Sequence, residues 1–231
     1  MPPKSKSQPK DYSAIALKYC NDILSGEIPS CKLARLACQR HLNDLEKSKT
    51  DPDYLFYYDS KMANRRCQFS EKLVHLKGPT AGQKFILSPY QVFWRCVVWG
   101  WLKKKNHKRR FRTATIFLPR KQGKSFDAAD TGLYMLCADG EPGSEVYSGA
   151  STEKQALEVF RPAWQIVNTM PSLKEHFGLK LTGTSINPTS IYRLSDMSRF
   201  EIVLLPATCI PNIPPPGEKI MEPHNPLNCR S

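Results

Sequence analysis

In the first half of the chain, apolar residues recur at helical spacing. Ile15, Tyr19 and Ile23 fall on one side of residues 12–25, and Gly26 with Pro29 closes that segment. Ser30 is placed to cap a second helix, with Cys31, Ala34, Cys38, Leu42 and Leu45 on one face and Lys32, Arg35, Gln39 and Asp44 mostly elsewhere. Together they predict an α-hairpin. Residues 54–76 are mixed and read as helical in their second half. Lys77, Gly78, Pro79, Ala81 and Gly82 form a turn-rich break, Lys84 to Leu87 are extended, and Ser88 with Pro89 opens a Trp- and Val-rich helix ending near Gly100 or Trp101.

The pattern then changes period. Thr113, Ala114, Thr115, Ile116, Phe117 and Leu118 have the β-branched and aromatic content of a short buried strand, which runs straight into PRKQGKS at 119–125. Phe126 to Cys137 has an apolar face and reads as a helix, followed by an acidic turn at 139–143 and a second strand at 145–149. Ser151 or Thr152 caps a further helix bearing Ala156, Val159, Phe160, Ala163, Val167 and Met170, and Pro171 stops it. Strand, helix, strand, helix predicts an α/β fold with a parallel sheet covered by helices. One or two further strands fit within 191–205.

Composition supports a folded core. The 231 residues are 40% hydrophobic and 10% aromatic, enough for one ordinary domain with a small appendage. Trp94, Trp99 and Trp101 are most simply core anchors, and His41 and His176 are surface or core polar residues rather than ligands. The eight cysteines show no CxxC pair and no zinc-type spacing, so they read as reduced thiols without a structural metal. Residues 1–10 hold three Lys and three Pro and read as a disordered basic tail without a secretion signal. The longest apolar stretch, 92–102, is interrupted by Arg95 and falls short of the ~20 residues that span a bilayer, so no membrane association is expected.

The net charge of +13 favours polyanionic partners. Ten Lys and Arg residues and no acid lie between 103 and 124. Lys103, Lys104, Lys105, Lys108, Arg109 and Arg110 read either as a solvated loop or as contacts to a phosphodiester backbone. The stretch around PRKQGKS carries sharper chemistry. A phosphate chain requires backbone N–H groups converging at a helix N-terminus, a flexible cation for its outer groups, and a hydroxyl for Mg²⁺. Gly123 allows close backbone approach, Lys124 supplies the cation and Ser125 the magnesium ligand. The pattern G-x-x-x-x-G-K-[ST] lacks its first glycine, since Leu118 stands there, and the alternative is a solvated basic loop before a helix.

Several features in order resemble the ATPase part of the large terminase subunit of tailed bacteriophages. They are the helix from Cys31 to Leu45, the run from Phe85 to Gln91, the Trp99, Gly100, Trp101 triplet, Arg109 to Arg112, the segment from Arg120 to Ser125, which is similar to a variant Walker A, and Glu145 to Ala156. The resemblance spans about residues 28–200 and implies an N-terminal helical segment at 11–76. After it comes a partial P-loop NTPase-type domain at 77–201, a parallel sheet flanked by helices and incomplete at its C-terminal side. It implies ATP and Mg²⁺ as cofactors. Gln91 would read the adenine edge, Arg120 would sense the γ-phosphate, and Lys121, Gln122, Gly123, Lys124 and Ser125 would complete the nucleotide site. Lys124 and Arg120 would be the catalytic groups. Double-stranded DNA, a small terminase subunit and a portal protein are the implied partners, and the cytoplasm of a bacterial host the implied location.

A hydrolysing member of that family also needs an apolar strand ending in Asp-Glu, and a nuclease domain with clustered carboxylates. After the phosphate turn the only late apolar run is Phe200 to Leu205, which meets Pro206 and has no further carboxylate until Glu218. Residues 202–231, with seven prolines and no periodicity, read as an unstructured tail foreign to the family. The expected function is an ATP-binding fragment of a DNA-packaging motor. The alternatives are a basic DNA-binding module and an inactive prophage remnant without ATP turnover.

Overall fold

A computed structural model describes residues 10–119, 122–140, 144–148, 152–183, 185–188 and 201–205. The helix α1 (Tyr12–Ser25) starts where the Asp11 carboxylate accepts from the backbone N–H groups of Ser13 and Ala14, and ends at Gly26, whose φ of 87° favours glycine. Its Tyr12, Ala16, Cys20 and Ile23 face inward at helical spacing. α2 (Lys32–Thr50) is capped by Cys31 rather than by Ser30, as the sequence suggested, and the Ser30 hydroxyl is buried without a hydrogen-bond partner. α3 (Ser60–Lys72) is capped by Asp59, which accepts from the N–H groups of Lys61 and Met62. α4 (Pro89–Gly100) opens with Pro89 as expected.

Between these helices a small antiparallel pair joins β1 (Phe56–Tyr58) to β2 (Trp101–Lys103), with Tyr58 opposite Trp101. β3 (Thr113–Phe117) leads to α5 (Lys124–Cys137), then α6 (Glu153–Thr169) and α7 (Pro171–His176). Pro171 both follows the end of α6 and opens α7. A second antiparallel pair joins β4 (Leu179–Leu181) to β5 (Ile186–Pro188).

The expected α/β architecture, a P-loop NTPase-type parallel sheet flanked by helices, is not what forms: the described residues are mostly helical with small antiparallel sheets. The parallel contribution is one pair, β3 with β6 (Glu201–Leu205), Thr113 opposite Glu201. β6 includes residues 202–205, the start of the stretch read as a tail, and 206–231 lie outside the described residues. The physical reason for the difference is visible in the strand expected at 145–149, of which residue 149 lies outside the described residues. Residues 144–148 take no ladder partner among the described residues and are tied to helices instead, the Ser144 hydroxyl donating to the Leu136 carbonyl and the Ser148 hydroxyl to that of Ala156. Tyr147 is 84% exposed. A strand without a neighbour leaves its backbone groups to water or side chains, whatever its propensity.

The core therefore sits between helices. One apolar cluster gathers Phe69, Leu73, Trp99, Leu133, Tyr134, Ile166 and Val167 from α3 to α6. A second unites Tyr12, Ala16, Ala63 and Cys67 with Phe85, Leu87, Val92 and Cys96 across residue 77, where the sequence suggested a domain boundary. A third packs Cys20, Ile23 and Cys38 of the α1–α2 hairpin onto Phe93, Val97 and Trp101. Trp99 and Trp101 are core anchors, as expected. The six described cysteines are free thiols.

Candidate functional site

β3 ends at Phe117, and α5 begins at Lys124 with Gly123 as its N-cap at φ 73° and ψ 14°. That left-handed conformation is what glycine supplies cheaply, and a β-carbon built there would meet nothing within 4 Å. The dihedral, not crowding, asks for glycine, and the face of the turn is open. Among the described residues no side chain caps α5. Its first-turn N–H groups and the positive end of its dipole are thus left for water or an anion. The Lys124 ammonium curls back to donate to the carbonyls of Leu118 at 2.6 Å and Pro119 at 2.9 Å. Gln122 and Ser125 are exposed. Arg120 and Lys121 lie outside the described residues.

Behind the turn, Trp94, Ile116, Leu118, Lys124, Asp127, Ala128 and Thr131 line a crevice of about 10 Å³. That is room for about one water molecule. Among the described residues no group of three His, Cys, Asp or Glu side chains is placed to hold a metal ion. Ser125 is exposed beside the uncapped helix start.

Gln91, which the resemblance assigned to adenine, is 7% exposed. Its Oε1 accepts from the Ser88 N–H at 3.0 Å and the Ser88 hydroxyl at 2.9 Å, and its Nε2 donates to the Asp127 carboxylate at 3.1 and 3.2 Å. The structure thus joins Gln91 to the helix of the phosphate turn, through a residue the sequence reading passed over.

Asp127 belongs to a buried charge network of α3, α4 and α5. Arg95 Nη2 donates to Asp127 and to Asp130, each at 2.8 Å. Arg66 donates to Asp130 at 3.2 and 2.8 Å through its two terminal nitrogens, and to the Thr131 hydroxyl at 3.0 Å. The Ser70 hydroxyl donates to Asp130 at 2.8 Å. Burial works to lower the Arg95 pKa, but the Asp130 and Asp127 charges outweigh it and hold the group above its ordinary value. Burial likewise pushes Asp130 upward, and the Arg66 and Arg95 charges overcome it, so the carboxyl sits below the usual carboxylate range. Two cations and two anions balance in the dry interior. The signal available in the sequence was Arg95 breaking an apolar run, together with Asp127 and Asp130 spaced three apart on a helix whose neighbours are apolar.

The basic loop is divided. Arg109 pairs with Asp139 at 2.5 Å, and Arg110 pairs with Asp44 at 2.7 Å while its guanidinium lies 4.4 Å from the Phe56 ring centroid. Lys104 donates to the Pro52 carbonyl at 3.1 Å. Lys105 is exposed and Lys103 and Lys108 half-buried. Both arginines pair with carboxylates of the fold, and Lys104 and Lys105 are the exposed cations of the loop. No described helix is long and apolar enough to cross a membrane.

Comparison with known proteins bears on this arrangement. Residues 89–187 match the family model described as terminase large subunit, ATPase domain. The match begins at the first residue of α4 and takes in Gln91, Arg95, the phosphate turn and α5. Among solved structures, that titled "Crystal structure of the HK97 bacteriophage large terminase" is similar at 22% sequence identity, with a TM-score of 0.45. The similarity covers 66% of this chain and 29% of that one. Comparison with curated proteins gives no significant match. A domain resembling the ATPase region of the terminase large subunit thus occupies part of this chain.

Proposed function

We propose that the chain binds a nucleoside triphosphate, ATP with Mg²⁺, at the turn between β3 and α5, and that it does so as part of a viral DNA-packaging ATPase. The observation carrying this reading is the uncapped start of α5, where Gly123 in the left-handed conformation is followed by Lys124. The match of residues 89–187 to the terminase ATPase domain supports it from an independent side.

The roles follow from the chemistry of the groups. The first-turn amides of α5 cradle phosphate oxygens. Lys124 exchanges the carbonyls of Leu118 and Pro119 for the outer phosphates, a favourable exchange because a doubly charged acceptor replaces two neutral ones. Ser125 ligates the magnesium ion, which screens the phosphate charge. Arg120 and Lys121 add positive charge from the preceding loop, and Gln91 faces the base. Double-stranded DNA, a small terminase subunit and a portal protein are the proposed partners of the assembled motor.

The test is a calorimetric titration of Mg-ATP into the wild type and Lys124→Ala. Losing a charge-assisted contact of about 1.5–3 kcal/mol weakens binding by roughly ten- to hundredfold. Equal affinity in both proteins would remove Lys124 from the site.

A further inference from the structure

The bonds around Gln91 carry an inference that rests on the nucleotide reading above. Gln91 stands on α4, whereas Lys124 and Ser125 stand on α5, so a base and its phosphates would be recognised by different helices. One side chain spans the gap. Asp127, 4% exposed, lies three residues beyond Lys124, and its N–H donates to the Gly123 carbonyl at 2.9 Å, the first helical bond of α5. Its carboxylate accepts from Gln91 Nε2 and is held in turn by Arg95.

The Gln91 amide has two lone pairs and two N–H bonds to satisfy. Ser88 fills both lone pairs, and Asp127 takes one N–H. The sense of the amide is therefore specified twice: the backbone N–H of Ser88 donates only to the oxygen end, and the Asp127 carboxylate accepts only from the nitrogen end. The nitrogen end lies 3.1 and 3.2 Å from the two Asp127 carboxylate oxygens.

We propose that Asp127 is a positioning residue that fixes the orientation of Gln91 and registers it on the helix carrying Lys124 and Ser125, so that base and phosphate chain meet one preorganised unit. Arg95 serves the same arrangement from below by holding Asp127 against α4. A purely structural carboxylate would support the helix packing and so affect all ligands of the turn alike; a positioning carboxylate affects those that carry a base.

The experiment compares Mg-ATP with inorganic tripolyphosphate, the same phosphate chain without a base, by calorimetry. The proteins are the wild type, Lys124→Ala, Gln91→Ala, Asp127→Asn, Asp127→Leu and the Gln91→Ala/Asp127→Leu double variant, each checked for its helical circular dichroism. Asp127→Leu is expected to weaken ATP about tenfold, the loss of one charged hydrogen bond, while tripolyphosphate stays within about twofold. Asp127→Asn keeps an accepting oxygen and recovers most of the loss. In the Gln91→Ala background Asp127→Leu adds nothing further, because the two residues act as one unit.

Equal weakening of both probes, or full additivity with Gln91→Ala, would overturn the positioning role. If Asp127→Leu loses its helical signal, the comparison passes to Asp127→Asn, expected to weaken ATP by about threefold and tripolyphosphate not at all; an unselective change overturns the proposal equally. A different pattern marks failure of the underlying reading: a wild type that binds neither probe, or a Lys124→Ala variant that binds both normally, removes the nucleotide site and Asp127's role with it.

Discussion

The buried histidine of α2 should make the fold acid-sensitive in a calculable way. His41 is 2% exposed, its Nδ1 accepts from the Trp101 indole N–H at 3.0 Å, and the rings of Tyr58, Phe93 and Trp101 lie 5.4, 6.1 and 6.0 Å away. Burial lowers its pKa from 6.5 to about 4, against a smaller upward pull from Asp44. The neutral ring is therefore the folded form. Above pH 6.5 the ring is neutral in both states and its full contribution is present. As pH falls through 6.5 the unfolded chain takes up a proton that the fold refuses, and the loss continues until about pH 4. The gap corresponds to a ceiling of about 3 kcal/mol, of which about 2 kcal/mol is spent between pH 7 and pH 5. Urea unfolding at a series of pH values in the wild type and His41→Gln measures it, since glutamine keeps an acceptor for Trp101 and does not titrate. The wild-type curve should fall by about 2 kcal/mol more than the variant's between those pH values. Parallel curves, or a His41 ring resonance titrating near pH 6.5 in the folded protein, would refute the reasoning.

Two further substitutions probe the frame around the site. Asp130→Ala strands Arg66 in the interior, where its Nε already lacks a hydrogen-bond partner, and leaves Arg95 with Asp127 as its one carboxylate partner; it should cost about 3–5 kcal/mol in urea unfolding, and a loss below about 1 kcal/mol would mean that the Arg66 guanidinium reaches water. Gly100→Ala drives a β-carbon into the Tyr58 ring, which is packed by His41 and Trp101, and should lower stability by about 1–3 kcal/mol, read as a fall in Tm; an unchanged Tm would show that the ring yields freely.

What the sequence revealed divides by the range of the interactions involved. The start of α4 at Pro89, the end of α1 at Gly26 and the strand feeding the phosphate turn are set by neighbours in the chain, and spacing and capping chemistry exposed them. The sheet was not legible. Residues 144–148 have strand composition, but a strand exists only when a partner presents its edge, and that is decided by distant residues. β1 and β2 pair with Tyr58 opposite Trp101 across two intervening helices, which no local pattern announces. At the candidate site, the glycine-to-helix turn at Gly123 and Lys124 was legible because its residues are contiguous. Asp127, Asp130, Arg66 and Arg95 could not be assembled, because their meeting depends on how α3, α4 and α5 pack.

The same packing sorts the positive charge, and this bears on how a polyanion can be held. Arg66, Arg95, Arg109 and Arg110 all spend their guanidiniums on internal carboxylates, where a planar fork can satisfy several acceptors at once and carries the charge with less hydration than an ammonium. Lysine makes a poorer buried partner, and Lys104 and Lys105 are exposed on the hairpin loop that the two inward-facing arginines anchor at Asp139 and Asp44. A nucleic acid meeting this loop would therefore encounter strongly hydrated point charges on flexible stems. Such contacts hold a phosphate backbone without reading bases, and they weaken steeply as salt rises. The arginines that a composition count credits to DNA are what give the loop its shape.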